Sequence, residues 1–385
     1  MGKLRFMTAG ESHGPCLTAI LEGLPSGLRP DIERINRDLG RRQQGYGRGG
    51  RMKIETDKAE ILSGIRFGET LGSPITLRVT NRDWQNWTGR MAQFGKPEGP
   101  AVTEVRPGHA DLVGVLKYDR RDARDILERA SARETAARVA AGALCKEFLR
   151  ALEINVASQV VNIGGVEVDR SQIDPEYIGR TASELNCCDL AAEEAMKRRI
   201  REAMEAGDTL GGVFEVIVKN LPVGLGSHIQ WDCRLDGKLA QALMSIQAIK
   251  GVEIGEGFGY ASLPGSQAHD EMFLDEQNRI YRKTNHAGGL EGGMTNGEEL
   301  VIRACMKPIP TLMKPLNSVD IGSREPVLAS KERSDVCAVS AASVVGEAMV
   351  AFTLAAEIIE TFGGGSLTDI KRNIAAYKAR LEEVM

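Results

Sequence analysis

The chain has 385 residues, of which 42% are hydrophobic, and this is ample for a folded globular protein with a sizeable core. A net charge of -4 gives no general attraction to nucleic acid or to an anionic membrane, so local basic clusters favour a small anionic ligand. The seven cysteines form no C-x-x-C pair, which argues against a zinc ribbon and a disulfide framework and predicts buried, reduced thiols.

The first third of the chain alternates short apolar runs with glycine-rich turns, a pattern that predicts strands. A run rich in Ala, Leu, Arg and Glu then predicts a helix over 131–152, and Ser131 with Glu134 forms an S-x-x-E capping box at its start. The later elements predicted from the pattern are a strand pair (154–168), a helix (189–208), a strand (211–226), a helix running into a strand (235–255), a glycine-rich loop (285–297), a strand (298–308) and a helix (338–364).

These elements predict an α+β sandwich. Consecutive strands separated by short turns indicate antiparallel pairing, and the last helix is nearly apolar all round, which is typical of a helix buried between layers. No Pro/Ser-rich or charged linker divides the chain, so we expect one domain over 1–385. We find no signal peptide and no stretch that approaches the length of a membrane span, and therefore expect a soluble cytoplasmic protein that does not contact a membrane.

The segment GRRQQGYGRGGR carries four arginines and five glycines over residues 40–51, with no acidic residue among them. Arginine forks suit phosphate and carboxylate, and glycines let the backbone approach a ligand closely. The alternative is a solvated, mobile surface loop. A further alternative is an RGG-like patch that binds RNA. Three features argue against it: the motif occurs once, the chain is acidic, and the aromatic content is only 5%.

Two histidines and one aspartate have settings that suit proton transfer. His13 and His109 lie on turn-forming segments near the acidic residues Glu11 and Asp111, and imidazole moves protons near neutral pH. The alternative is a hydrogen-bonded surface turn. Asp335 lies at the entry to the apolar helix, where it either faces a ligand or simply caps the helix.

Basic residues recur near the start of the helix predicted at Ser131. Arg129 and Arg133 flank this start, where unsatisfied N–H groups and the helix dipole favour a phosphate, and Arg106 precedes His109. We find no Walker sequence, no strand-coupled G-x-G-x-x-G and no spacing of metal ligands. The pattern therefore predicts a phosphate held outside a P-loop, and no metal.

Seven segments, in one order, resemble a known family. GESHG, RPGHAD, RASARETAARVAAGA, LMSIQAIKGVEIGEGF, NHAGGLEGGMTNG, MKPIPT and ERSDVCAV are spread from residue 10 to Val339 and are similar to those of chorismate synthases. The resemblance implies a β-α-β sandwich, with central helices packed between antiparallel sheets, and a homotetramer. It also implies the last step of the shikimate pathway to aromatic amino acids. In that step 5-enolpyruvylshikimate 3-phosphate loses phosphate by anti 1,4-elimination to give chorismate, with reduced FMN and no net redox change.

The resemblance also assigns roles to residues. His13 matches the general acid for the leaving phosphate, His109 a residue at the flavin N1–C2=O edge, and Asp335 one near flavin N5. The residues matching the substrate contacts are Arg42, Arg48, Arg51, Arg106, Arg133 and Arg333. Those matching the FMN contacts are Arg129, Ala130, Ser131, Gln247, Ala248, Gly292, Lys307, Pro308, Ile309, Pro310, Thr311 and Arg333.

The supply of reduced flavin leaves two alternatives within this family. Some members also reduce FMN with NADPH, whereas others receive reduced flavin from an external flavin reductase. A chain of 385 residues with no extra domain favours the second, monofunctional type.

Overall fold

The computed structural model describes residues 3–49, 54–96, 98–169, 183–331 and 334–382. In these ranges the helices are α1 (Ile32–Gln43), α2 (Asp111–Lys117), α3 (Arg124–Ala130), α4 (Thr135–Ala151), α5 (Leu190–Glu205), α6 (Leu235–Met244), α7 (Gly265–Ala268), α8 (Val339–Phe362) and α9 (Leu367–Glu382). The strands are β1 (Arg5–Ala9), β2 (Cys16–Glu22), β3 (Ala59–Ile61), β4 (Ile65–Arg66), β5 (Glu69–Thr70), β6 (Ile75–Thr80), β7 (Asn155–Ile163), β8 (Val166–Glu167), β9 (Gly212–Lys219), β10 (Ile249–Ile254), β11 (Met272–Leu274), β12 (Ile280–Arg282), β13 (Leu290–Glu291), β14 (Met294–Thr295), β15 (Leu300–Met306), β16 (Asn317–Val319) and β17 (Pro326–Leu328).

Two antiparallel sheets enclose a layer of helices. One sheet has the order β1-β2-β6-β3 and the other β10-β15-β9-β7-β8. Helix α8 packs on β7 and β9, α4 packs on β2 and β6, and the two helices pack on each other. The predicted sandwich, with central helices between antiparallel sheets, is confirmed.

Helix α8 is the central element of the core. Nearly its whole length is buried, and a Cβ at Gly142 of α4 would lie 2.4 Å from the carbonyl oxygen of Ala348, so the two helices need glycine there. The expectation that no stretch approaches the length of a membrane span is wrong, because α8 has the length and apolarity of one. Most of it is buried inside the fold, and this burial accounts for its composition.

The predicted start of the helix at Ser131 is partly wrong. Ser131 caps a short 3-10 turn, Ala132–Glu134, by accepting the Arg133 N–H at 3.3 Å, and α4 begins only at Thr135. Glu134 does not complete the capping box, because its carboxylate accepts hydrogen bonds from Thr8 and Gln247 instead. The strand pair at 154–168 and the helix predicted at 189–208 are confirmed as β7–β8 and α5.

None of the seven cysteines forms a disulfide bond, as predicted, but not all are buried. Burial raises the pKa of Cys145 and Cys187 to about 12 and that of Cys337 to about 11. Cys305 is exposed because it alternates along β15 with the inward-facing Ala304.

Candidate active site

His13 lies on the turn between β1 and β2 and is held by a carboxylate from a distant part of the chain. Its Nδ1 is 2.9 Å from Oε1 of Glu128, and its backbone N–H donates to Oε2 of the same residue at 2.8 Å. Glu128 belongs to α3 and is only 2% exposed. Burial opposes its ionisation, but the hydrogen bonds and charge of His13, with Arg124, outweigh burial and hold the Glu128 pKa below its usual range. The sequence neighbour Glu11 does not make this contact.

Two further side chains fix the imidazole of His13. The indole of Trp87 stacks on it with ring centroids 3.9 Å apart, and the Arg124 guanidinium lies 5.0 Å from the centroid of the same indole. Arg124 also donates to Oε1 of Glu128 at 2.8 Å. In the part of the chain that the structure describes, Nε2 of His13 has no hydrogen-bond partner, so this nitrogen remains available to a ligand.

His109 has a carboxylate partner in its own turn. Its Nδ1 lies 2.5 Å from Oδ1 of Asp111, which is 1% exposed. Oδ2 of Asp111 also accepts from Nε of Arg106 at 2.8 Å and from the Arg106 backbone N–H at 3.1 Å. Burial opposes ionisation of Asp111 as well, yet the hydrogen bonds from His109 and Arg106 outweigh it and depress the Asp111 pKa. The short spacing between His109 and Asp111 already indicated this pair.

The turn of His109 is joined to the segment 307–311. Lys307 Nζ donates to the carbonyl of Gly108, whose φ of 77° suits glycine, and Nη1 of Arg106 donates to Oγ1 of Thr311 at 3.2 Å. The structure therefore brings Arg106 and His109 together with two members of the predicted FMN segment.

Arg42 and Arg133 meet at a buried carboxylate that sequence reasoning missed. Asp57 accepts from Nη1 of Arg133 at 2.6 Å and from Nη1 of Arg42 at 3.2 Å. Burial lowers the Arg42 pKa to about 10, although Asp57 opposes this shift. Nε and Nη2 of Arg42 bond to Thr135 and to the carbonyl of Ala132. Nη2 of Arg133 is buried and lies 3.7 Å from Oε2 of Glu55, with no hydrogen-bond partner among the described residues.

Asn81 connects this arginine pair to the turn of His13. Its Oδ1 accepts from Nε of Arg133 at 2.9 Å, and its Nδ2 donates to the carbonyl of Gly14 at 2.7 Å. The predicted acid and two predicted anion-binding arginines thus belong to one hydrogen-bonded network.

Asp335 binds the arginine-rich segment and does not cap the helix. Its Oδ1 accepts the Gly49 N–H at 2.6 Å, and its Oδ2 lies 3.2 Å from Nε of Arg48. Helix α8 starts four residues later, and its N-cap residue, Ala338, supplies no side-chain hydrogen bond. The capping hypothesis for Asp335 is therefore wrong. Arg51 and Arg333 lie outside the described residues.

The arginine-rich segment is only partly a loop, because Arg41 and Arg42 form the last turn of α1. Arg41 points away from Arg42 and pairs with the buried Glu347 of α8 at 2.6 Å. Arg42 and the Arg48 side chain are largely buried, at 4% and 9% exposure. The alternative of a solvated surface loop is therefore wrong for these three arginines.

The predicted FMN residues fall into connected groups. Arg129 of α3 donates to Oγ1 of Thr8 at 2.7 Å and to the carbonyl of Gly10 at 3.2 Å. Gln247 donates from Nε2 to Glu134 at 3.1 Å, while its Oε1 is buried with no hydrogen-bond partner in the described ranges. Burial opposes ionisation of Glu134, but Arg138 and the hydrogen bonds from Thr8 and Gln247 keep its pKa low.

Ala248 connects these groups to the segment 307–311, because its carbonyl accepts the Lys307 N–H at 3.0 Å. Ala248 has a φ of 67°, the left-handed conformation that is uncommon outside glycine. Gly292 lies in the tight β13–β14 turn, and no hydrogen bond or ion pair within the described ranges joins it to the other predicted residues.

A cleft of about 1230 Å³ opens beside these groups. It is lined by α2, α3 and the segment 89–96, and its wall includes Glu128, Arg129 and Ala130. Two histidines held by buried carboxylates, next to buried arginines, define an acid–base site suited to an anionic ligand. The cleft borders this site through Glu128, the carboxylate partner of His13.

Comparison with known proteins identifies the family. The chorismate synthase family model matches residues 4–359. The chain is 58% identical to the chorismate synthase of Geobacter sulfurreducens over 385 residues, covering 97% of this chain and 98% of that protein. It is also 58% identical to that of Sulfurihydrogenibium sp. over 383 residues, with the same coverage of both proteins.

A solved structure agrees with this result. The crystal structure of a chorismate synthase has a TM-score of 0.81 and 46% identity, and the match covers 100% of this chain and 99% of the other. The chain belongs to the chorismate synthase family, and the resemblance seen in its motifs is confirmed.

Proposed function

We propose that this protein converts 5-enolpyruvylshikimate 3-phosphate into chorismate by anti 1,4-elimination, as a carbon–oxygen lyase that needs reduced FMN. The C3–O bond to phosphate breaks, the C6–H bond breaks, and a new double bond forms, with no net redox change. Family membership supports the reaction. The observation in this chain that carries it is the pair of histidines, each fixed at Nδ1 by a buried carboxylate, beside buried arginines.

The arginines suit a substrate with one phosphate and two carboxylates. We assign its binding to the substrate set inferred from the family, which is Arg42, Arg48, Arg51, Arg106, Arg133 and Arg333. Nη2 of Arg133 is a buried donor that lies 3.7 Å from Glu55, beyond hydrogen-bond distance, so a bound anion would give it a hydrogen-bond partner. Each of the three donor nitrogens of Arg42 already has a protein partner, so its contribution is the charge and the placement of Asp57.

The proton steps fall to three residues. His13 protonates the departing phosphate oxygen from Nε2, which removes charge from the leaving group. With a flavin bound, N5 would receive the hydrogen from C6, and Asp335 would then exchange the proton at N5. His109, which Asp111 keeps in one orientation, donates at the N1–C2=O edge, where negative charge is stabilised.

The residues present fit a flavin. The buried Oε1 of Gln247 is an acceptor that needs an N–H donor, and a flavin ring carries one. We assign FMN binding to the groups 129–131, 247–248 and 307–311, with Gly292 and Arg333. When bound by these residues, reduced FMN would supply electron density to the substrate and recover it, which would explain a redox cofactor in a reaction without redox change.

We further propose a single-domain, monofunctional, cytoplasmic homotetramer that receives reduced flavin from an external flavin reductase. No metal, nucleic acid or membrane enters this proposal. Intrinsic reduction of FMN by NADPH is the alternative that the assay must distinguish.

The test is anaerobic release of phosphate from 5-enolpyruvylshikimate 3-phosphate. One reaction receives photoreduced FMN, and a parallel reaction receives oxidised FMN with NADPH. Chorismate and phosphate in equal amounts in the first reaction alone support the monofunctional enzyme, whereas turnover in both shows intrinsic NADPH-dependent reduction. Absence of phosphate release in both, from protein that binds FMN, overturns the proposed function.

A further inference from the structure

We propose that Glu128 is the positioning residue of His13, which it holds with a proton on Nδ1 so that Nε2 alone exchanges the catalytic proton. The inference rests on the proposed function, because it assigns a role in the proton transfer by His13. It concerns a carboxylate to which the family motifs gave no role.

The contact geometry carries the argument. Both oxygens of one carboxylate face residue 13: Oε2 accepts the backbone N–H at 2.8 Å, and Nδ1 lies 2.9 Å from Oε1 and 3.0 Å from Oε2. The bond to the backbone fixes the carboxylate relative to the main chain, and the bond to Nδ1 then fixes the ring relative to the carboxylate. The imidazole therefore takes its orientation from α3.

The chemistry of the partners selects the tautomer. An ionised carboxylate can only accept hydrogen bonds, so the nitrogen facing it must carry the proton. Glu128 stays ionised because its partners outweigh the effect of burial on its pKa. With Nδ1 occupied, the proton that His13 gains and loses is the one on Nε2, and the negative charge of Glu128 stabilises the protonated ring.

The surroundings prevent the ring from turning. Trp87 covers one face of the imidazole, and Arg124 bonds to Glu128 while lying near the same indole. A flip of the ring would break the contacts of Nδ1 with both oxygens of Glu128, while the bond of Oε2 to the backbone N–H would remain. Three side chains thus maintain one orientation.

If Glu128 only held the turn of His13 in place, its loss should matter little, because other hydrogen bonds also hold this turn. The Ser12 N–H donates to the backbone carbonyl of Glu128 at 3.0 Å, and Asn81 binds the carbonyl of Gly14. Neither bond depends on the charge of the carboxylate. We therefore expect Glu128→Gln to fold and to keep the turn in place.

The experiment compares Glu128→Gln with Glu193→Gln in single-turnover chorismate formation with prereduced FMN. Glu193 is a matched control, since it is also buried and lies 3.2 Å from Lys197. We expect Glu128→Gln to lose roughly ten- to a hundred-fold in rate, the scale known for carboxylates behind metal-bound histidines, with substrate and FMN affinities within a few-fold of the original. We expect Glu193→Gln to keep its rate.

Two further readouts separate positioning from structure. In the background of His13→Ala, Glu128→Gln should cost no further rate, because residues that act as a unit are not additive. In ¹⁵N-resolved NMR, the histidine signal that His13→Ala removes should show a protected Nδ1–H in the original protein and lose this protection in Glu128→Gln. This spectrum is recorded without substrate, so it tests the pair even if the protein fails the phosphate-release assay.

Three results would overturn the inference: an unchanged rate in Glu128→Gln, a full additional loss in the His13→Ala background, or a Nδ1 of His13 without a proton. If melting shows that Glu128→Gln is unfolded, Glu128→Asp replaces it, keeping the charge while shortening the reach. A rate loss in Glu128→Asp with FMN binding intact supports positioning, and an unchanged rate contradicts it.

Discussion

The imidazoles of His13 and His109 are both oriented by a buried carboxylate, but the two carboxylates come from different parts of the chain. Each imidazole has a buried carboxylate at Nδ1, but Asp111 lies two residues from His109, whereas Glu128 lies 115 residues from His13. Asp111 also accepts three hydrogen bonds from Arg106, so it stabilises the turn in which His109 lies. The site of His13, by contrast, exists only once α3 has packed against the β1–β2 turn. The local pair is thus part of a folded turn, and the distant pair is a product of tertiary packing.

The largest effects are expected when either imidazole is removed, and the two variants should differ because the two histidines have different roles. We expect His13→Ala to lower single-turnover chorismate formation by about a hundred- to ten-thousand-fold, the range for a positioned acid, with FMN affinity unchanged. We expect His109→Ala to weaken binding of reduced FMN as well, because His109 lies in the group joined to Lys307 and Thr311.

The measurements are single-turnover rates with prereduced FMN and anaerobic titration of each variant with reduced flavin. Equal losses of flavin affinity in both variants would show that the two histidines do not divide the work in this way.

Removal of Asp111 should damage stability more than removal of Glu128. Asp111→Asn takes the negative charge away from the buried Arg106, and breaking a buried ion pair costs about 3–5 kcal/mol. The control is Asp125→Asn, whose pair with Arg120 is exposed and is expected to contribute about 1 kcal/mol or less. Chemical denaturation measures both variants and Glu128→Gln. A larger loss of unfolding free energy in Glu128→Gln than in Asp111→Asn would reverse the comparison.

The elements that follow from local pattern were predictable from the sequence. Helix α5 begins after Asp189, whose side chain accepts from the N–H groups of Ala191 and Ala192, and its apolar residues recur at helical spacing. The β7–β8 hairpin turns at two glycines, Gly164 and Gly165, both with positive φ. Such features depend on neighbours in the chain, and a sequence shows those directly.

The partners of the charged residues were not predictable in the same way. The arginine-rich segment contains no acidic residue, yet its arginines form ion pairs with Glu347, Asp57 and Asp335, which come from three other parts of the chain. A long-range ion pair is set by which elements pack together, and no local spacing encodes this. One signal was present, because an acid such as Glu347 within an otherwise apolar helix needs a buried cationic partner.

The two carboxylates should also determine how stability falls in acid. The pKa values of Asp111 and Glu128 are depressed in the folded protein, relative to about 3.9 and 4.3 for unfolded Asp and Glu. Each therefore contributes stability that is present above its unfolded pKa and is lost as the pH falls through its folded pKa.

Thermal melting over a series of acidic pH values checks this. We expect Asp111→Asn and Glu128→Gln to lose less stability on acidification than the original protein, so that the curves converge at low pH. Parallel curves would mean that neither carboxylate contributes to acid unfolding.

The smallest effect is expected from Arg124, the outer member of the His13 site. Its side chain is 15% exposed, and its Nη1 donates to Glu128, one helical turn away, at 2.8 Å. In Arg124→Gln, Glu128 keeps its bonds to the backbone and ring of His13, so no buried charge is left without a partner. The loss of a partly exposed ion pair and of a contact with Trp87 should cost about 1 kcal/mol of stability. Arg124→Lys keeps the charge but not the planar guanidinium, and should therefore lose less stability than Arg124→Gln.

The measurements are chemical denaturation and single-turnover rates of both variants. A small loss of stability, with rates that stay within a few-fold of the original, would show that Arg124 only supports Glu128. A rate loss in Arg124→Gln as large as that in Glu128→Gln would instead mean that the guanidinium contributes as much as Glu128 to orienting His13. The site of His13 would then resemble the site of His109, where arginine, carboxylate and imidazole act as one unit.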